Sequence, residues 1–217
     1  MARIASLPQS FADTCRKARR HLSRRDPLLA QLIKHVGACT LQPGAEAFPS
    51  LVRAIIAQMI STKAAQAITI RVETALRPHG LTPAGMAVVS EETLRGAGLS
   101  RTKALAVKDL AERAVSGALP LARLPEMSDE EVIDLLLPVR GIGRWTAEMF
   151  LIFSLGRLDV LPVDDFGLRA GVREVYQLPD LPGRAALRER GEPWRPYRSI
   201  ATWYFWRSRG WVPQSKG

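Results

Sequence analysis

Apolar residues recur at three- and four-residue intervals along most of this chain, the spacing of helices that bury one face. Asp26-Pro27 reads as an N-cap followed by proline at the first helical position, opening L-L-A-Q-L-I-K-H-V as far as Gly37. Residues 38–49, with Pro43, Gly44 and Pro49, read as a loop. Ser50 opens the longest periodic stretch, L-V-R-A-I-I-A-Q-M-I-S-T-K-A-A-Q-A-I-T-I-R-V-E-T-A-L, predicted as one amphipathic helix. Shorter helices are predicted from Leu81-Thr82-Pro83, from Ser90-Glu91-Glu92 to stops at Gly96 and Gly98, and from Ser100 to near Gly117. Ser128-Asp129-Glu130-Glu131 has the spacing of a capping box ahead of V-I-D-L-L-L. No alternating run demands a sheet, and neither a repeat nor a low-complexity segment is evident. The fold class that follows is all-α.

Two stretches carry candidate chemistry. In L-P-V-R-G-I-G-R-W-T-A-E, residues 137–148, a short turn from Pro138 to Gly143 separates two helical patterns. Gly141 and Gly143 can adopt positive φ and admit a ligand close to the backbone. The helix from about Arg144 aims its first N–H groups and positive dipole end at that turn, a cradle suited to a phosphate. Such a cradle positions nucleic acid without reading its sequence. The plain alternative is a tight helix–helix turn, where glycine is common anyway. Downstream, L-P-V-D-D-F at 161–166 delivers Asp164 and Asp165 to the start of another helix. Either can serve as its N-cap. A carboxylate facing a cleft could instead stabilise a sugar cation and orient a water.

Composition narrows the partner. The chain has 217 residues and a net charge of +10, with arginine dominating the cations. This favours an anionic partner and suits bidentate phosphate contacts, although a coding preference for arginine would give the same bias. Cys15 and Cys39 are too few for a four-cysteine zinc or iron–sulfur set. No apolar run reaches the ~20 residues of a membrane span and no hydrophobic signal core is present, so a cytoplasmic, bacterial-type protein is expected. Residues 1–25 read as a basic arm or disorder.

The pattern L-P-x-x-G-I-G-R-W-T-A…L-P-x-D-D resembles the helix-hairpin-helix DNA glycosylases of the AlkA type (3-methyladenine DNA glycosylase II), with Gly143 and Asp165 at the family's interval. The likeness extends back to R-A-I-I-A-Q-M-I-S-T-K-A-A at 53–65 and forward to W-R-P-Y-R…T-W-Y-F-W-R-S-R-G-W at 194–211, and so covers about residues 26–212. It implies that Asp165 is catalytic and Asp164 structural. It implies a base pocket of Trp145, Trp206, Phe166 and Met149, with Met149 departing from an aromatic of the best-known member. Met59 would be the wedge that fills the vacated stack, as opposed to a core methionine. The DNA backbone would be held by Arg140, Gly141, Gly143 and Arg144, with Ser61 and Lys63 on the flanking strand; Arg169, Arg195 and Arg198 are further candidates. Carbonyls of Leu137, Val139 and Gly141 could ligate a monovalent Na+ or K+. Trp194 and Trp211 are assigned to packing, and the 203–206 aromatics are divided between core and pocket. The N-terminal β domain of the family's bacterial prototype has no counterpart here, since residues 1–25 precede the first predicted helix.

The resemblance implies two helical lobes with a DNA groove between them. One lobe spans 50–160 and carries the helix-hairpin-helix motif (about 131–155); the other joins 1–49 to 161–217. The implied activity is excision of alkylated bases of the 3-methyladenine and 7-methylguanine type from double-stranded DNA by a monomeric, monofunctional enzyme. The lysine that forms a Schiff base in strand-nicking relatives is replaced by Trp145, so no imine chemistry is expected. The alternatives are a non-catalytic helix-hairpin-helix DNA-binding protein, a glycosylase for mismatched or oxidised bases, and an RNA-binding protein. The last explains the charge but not the Gly143–Asp165 constellation.

Overall fold

A computed structural model describes residues 11–44 and 46–211. Twelve α-helices and two short 3-10 turns make up the regular structure of the described residues, with no strand among them. None of these helices is long and apolar enough to cross a membrane. The chain divides into two compact units: a terminal unit, Met1–Gln42 with Arg157–Gly217, and an inserted unit, Pro43–Gly156. The chain thus leaves the first unit and returns to it, at boundaries a few residues earlier than 49/50 and 160/161.

The terminal unit holds α1 (Phe11–Arg25), α2 (Pro27–Val36), α10 (Phe166–Tyr176), α11 (Arg184–Gly191) and α12 (Arg198–Phe205). Described residues of the expected basic arm are helical: α1 buries Cys15, Ala18 and Leu22 and packs on α2. Residues 1–10 lie outside the described residues. Asp26 caps α2 by accepting from Leu29 N at 3.0 Å, with Pro27 in the first turn, as the sequence predicts. The same carboxylate accepts from the Tyr176 hydroxyl and from Trp194 Nε1 (2.9 Å), so one cap ties α2 to the end of α10 and to a fully buried indole. Charged groups this deep survive only when hydrogen-bonded, and Asp26 is saturated with donors. Burial and the adjacent Asp26 charge hold the Tyr176 hydroxyl well above the usual tyrosine range.

The inserted unit holds α3 (Ala47–Ala57), α4 (Thr62–Ala75), α5 (Pro83–Val88), α6 (Glu91–Gly96), α7 (Arg101–Val115), α8 (Asp129–Leu136) and α9 (Arg144–Phe153). Its core joins Leu51, Val52, Ile55 and Ile56 of α3 to Val107 and Leu110 of α7, Ile133 and Leu136 of α8 and Leu151 and Ile152 of α9. Ser61, Thr82, Ser90, Ser100 and Ser128 cap α4 to α8 in turn, each with a side-chain oxygen accepting a first-turn N–H, and Ser128 closes a capping box with Glu131. Each such cap contributes about 1 kcal/mol.

The single helix expected from Ser50 to Leu76 is two. It begins at Ala47, breaks after Ala57 and restarts at Thr62. The apolar period runs through the break, which is why it was invisible; the Ser61 cap and a positive φ at Met59 are what interrupt it. That break places Met59 at the tip of an exposed turn.

Candidate active site

The helix-hairpin-helix motif is α8, the turn 137–143, and α9. Gly141 has φ +77, where a side chain is strained, and a Cβ there would meet Ala106 of α7 at 3.4 Å. Gly143 does not use the freedom expected of it: its φ is −97, open to any residue, and a Cβ there would meet no described atom within 4 Å. Nothing inside the described fold asks for glycine at 143. Gly143 is the N-cap of a ten-residue helix and supplies no side-chain cap to it.

Arg140 is exposed, and its backbone N–H donates to Asp109 Oδ2 at 2.7 Å, which fixes the turn against α7. Arg144 is engaged by carboxylates: Nη2 lies 2.6 Å from Glu130 and Nε 3.4 Å from Glu148. The Glu130 hydrogen bond holds its guanidinium above the ordinary arginine range. Of the three carbonyls considered for a cation, that of Gly141 accepts the Gln58 side-chain amide at 2.9 Å. Trp145, 44% exposed, is not a core tryptophan, and Met149 beside it is half-buried.

On the other side of the turn's anchor, Met59 is fully exposed with φ +59. A core methionine is ruled out. Ser61 caps α4, and Lys63 is exposed within its first turn.

In the terminal unit, Asp165 and Asp164 part company. Asp164 is exposed and pairs with Arg184. Asp165 is 8% exposed and is the N-cap of α10. Its Oδ1 accepts from Leu168 N at 2.6 Å and from Trp206 Nε1 at 2.7 Å. The two readings of this carboxylate, cap and functional group, fall on one residue. Phe166 beside it is 69% exposed, and Trp206 is half-buried. Phe166, Gly167, Phe205 and Trp206 line part of a cavity of about 390 Å³ in this unit. The other aromatics of the cluster, Trp203, Tyr204 and Phe205, are core, as is Trp194.

Sequence reasoning missed how Trp206 reaches Asp165. A Cβ on Gly171 would meet the Phe205 carbonyl oxygen at 2.3 Å, and one on Gly167 would meet the Trp206 ring at 3.0 Å. Two glycines four apart on α10 let α12 approach backbone to backbone and make room for the indole. The signal was legible as G-x-x-x-G in F-G-L-R-A-G. Arg195 and Arg198, candidates for phosphate contacts, face Asp159 in the structure. Arg198 Nε and Nη2 lie 2.8 and 3.0 Å from Asp159, and Arg195 Nη1 lies 2.7 Å from it. Arg169 Nε donates to the Pro182 carbonyl. These arginines pin loops.

A family model described as HhH-GPD superfamily base excision DNA repair protein matches residues 52–196, which include both glycines of the hairpin and Asp165. The chain belongs to this superfamily. Among HhH-GPD relatives, it is 37% identical to DNA-3-methyladenine glycosylase 1 of Schizosaccharomyces pombe over 88% of this chain and 86% of that protein. It is 35% identical to the alkylbase DNA glycosidase-like protein mag2 of the same yeast, over 88% of this chain and 92% of that one. The solved structure of the yeast 3-methyladenine DNA glycosylase in complex with abasic DNA superposes with a TM-score of 0.81 at 35% identity, covering 92% of this chain and all of that one. The helix-hairpin-helix and the all-α class expected from the sequence therefore stand.

Proposed function

We propose that this chain is a monofunctional DNA glycosylase of base excision repair. It acts as a monomer on double-stranded DNA and releases alkylated purines of the 3-methyladenine and 7-methylguanine type. The observation that carries the proposal is Asp165: a nearly buried carboxylate held on one oxygen by two N–H donors, at the family's interval from the hairpin. The names of the relatives point to the same substrate class.

The chemistry follows from the residue types. The reacting bond, C1′ to the base nitrogen, is hidden in a duplex, so the nucleotide must leave the stack at a cost of a few kcal/mol. Met59 offsets part of this by filling the gap. The uncapped amides at Gly143 hold a phosphate of the lesion strand. An N3- or N7-alkylated purine is already cationic, so it departs with the bonding electron pair without prior protonation. Indole and phenyl faces attract that cation, with about 0.5–2 kcal/mol available from each well-placed ring. Trp206 and Phe166, beside Asp165, supply them. As the C1′–N bond breaks, positive charge grows on the sugar, and the Asp165 carboxylate stabilises it; water adds to C1′ and gives up its proton. The hydrogen bonds from Leu168 and Trp206 fix the carboxylate before reaction, so it need not reorganise as charge develops. Trp145 stands where a Schiff-base amine would be needed, so the product is an intact abasic strand.

The test is release of free methylpurines from methylated duplex DNA, with borohydride trapping alongside. Base release without a trapped adduct is expected. Tight duplex binding with no base release would leave a DNA-binding protein instead, and a trapped adduct would break the monofunctional assignment. Trp145→Lys should lower base release without adding efficient strand nicking.

A further inference from the structure

Met59 presents a problem that the wedge role does not solve. A non-glycine residue at φ +59 is disfavoured by about 1–2 kcal/mol, and a fully exposed side chain has no packing to offset it. Such a conformation persists only where its surroundings impose it. Three contacts do so here. Lys103 Nζ, reaching from α7, donates to the carbonyls of Ile56 at 2.8 Å and Gln58 at 2.6 Å. This closes the end of α3 with a positive charge, where the helix dipole favours one. The side chain of Gln58 then turns the other way and donates to the Gly141 carbonyl at 2.9 Å, across 83 residues of sequence. The Ser61 cap fixes the far side of the turn.

The same helix also holds the hairpin. Ala106 lies under Gly141, and Asp109 accepts the Arg140 backbone N–H. Residues 103, 106 and 109 are three apart and share one stripe of α7. The Met59 turn and the phosphate-binding turn are therefore registered against one rigid element and tied to each other by a single glutamine.

Resting on the glycosylase reading above, we propose that Lys103 and Gln58 are positioning residues that hold the Met59 tip in a fixed register with the hairpin. The wedge is thereby poised at the depth where a nucleotide leaves the stack. They act through Met59 and touch no substrate themselves. Pre-ordering the turn spares DNA binding the entropy of fixing it.

A comparison lies within the same helix. Lys108 Nζ donates to the Ala87 and Val89 carbonyls at 2.5 and 2.8 Å, closing α5 as Lys103 closes α3, but at an end where the exposed apolar residue, Val88, has no positive φ. Lys108→Met therefore measures the structural share of such a lysine.

The test measures binding to duplexes with and without a stable abasic-site analogue, by fluorescence anisotropy, which does not depend on hydrolysis. The wild type should prefer the gapped duplex, and Met59→Ala should reduce that preference about tenfold. Lys103→Met and Gln58→Ala should reproduce the Met59→Ala loss, Lys103→Arg should recover most of it, and Lys108→Met should leave it intact. The double variant Met59→Ala with Lys103→Met should lose no more than Met59→Ala alone, because both act through one side chain. The proposal is overturned if Lys103→Met, folded by its thermal transition, keeps the wild-type preference, if the two losses add, or if the wild type has no preference. Absence of base release with the preference intact would instead sink the catalytic reading and leave the brace standing.

Discussion

α9 and α10 both begin at a sharp turn, and the two turns are built oppositely. α9 starts at Gly143 with no side-chain cap, after five successive helices that each have a Ser or Thr cap. α10 starts at Asp165, whose carboxylate fills its own N-terminus. The first turn receives no side chain from its own N-cap residue. The second uses its amide chemistry to hold an internal anion still. On the function proposed above, an uncapped helix start suits binding of an anion and a capped one suits precise placement of charge.

The comparison is most sharply tested at Asp165. Asparagine caps a helix about as well as aspartate, so Asp165→Asn should leave the thermal transition and duplex affinity nearly unchanged. Release of methylpurines should fall by about a hundredfold or more. Equal release by both proteins would reduce Asp165 to a cap. Next in size, Trp206→Phe keeps a ring over Gly167 but removes the N–H donor to Oδ1. A hydrogen bond to a charged group is worth about 1.5–3 kcal/mol, so single-turnover base release should slow by at least about tenfold with little change in DNA affinity.

The hairpin should respond in the opposite sense. Gly143→Ala should weaken duplex binding several-fold while stability moves by under about 1 kcal/mol, because the described fold makes no demand for glycine there. Gly141→Ala should instead cost about 1–2 kcal/mol of stability, visible in chemical denaturation, because its φ is +77. If the two glycines exchange these behaviours, the open-cradle reading of Gly143 fails. The smallest effects separate arginines that face phosphate from those that pin loops. Arg140→Ala should lower the slope of log affinity against log salt by about one, whereas Arg195→Ala, whose partner is Asp159, should leave the slope unchanged.

Local signals proved legible where the chemistry is local. Asp26-Pro27, the Ser128 capping box and the Gly141 turn all depend on residues within a few positions of one another, and the structure places each as read, while Gly143 departs with φ −97. The resemblance to the family pattern, with its interval from Gly143, is what singles out Asp165 as the candidate. Periodicity failed at 58–61, because an apolar repeat continues through a break that only the Met59 backbone reveals. It is also silent on the arginines' carboxylate partners, which lie up to dozens of positions away, as Asp159 does from Arg198.

Sequence alone thus determined the all-α class and the hairpin, since helix period, caps and turn glycines are short-range properties. Tertiary structure decided how those parts are aimed. The exposure of Met59, the Lys103 and Gln58 ties that hold its turn, and the indole N–H on Asp165 Oδ1 all come from segments distant in the chain. Hydrogen-bond direction and burial are set by which elements meet, and the order of residues along a helix does not carry that information.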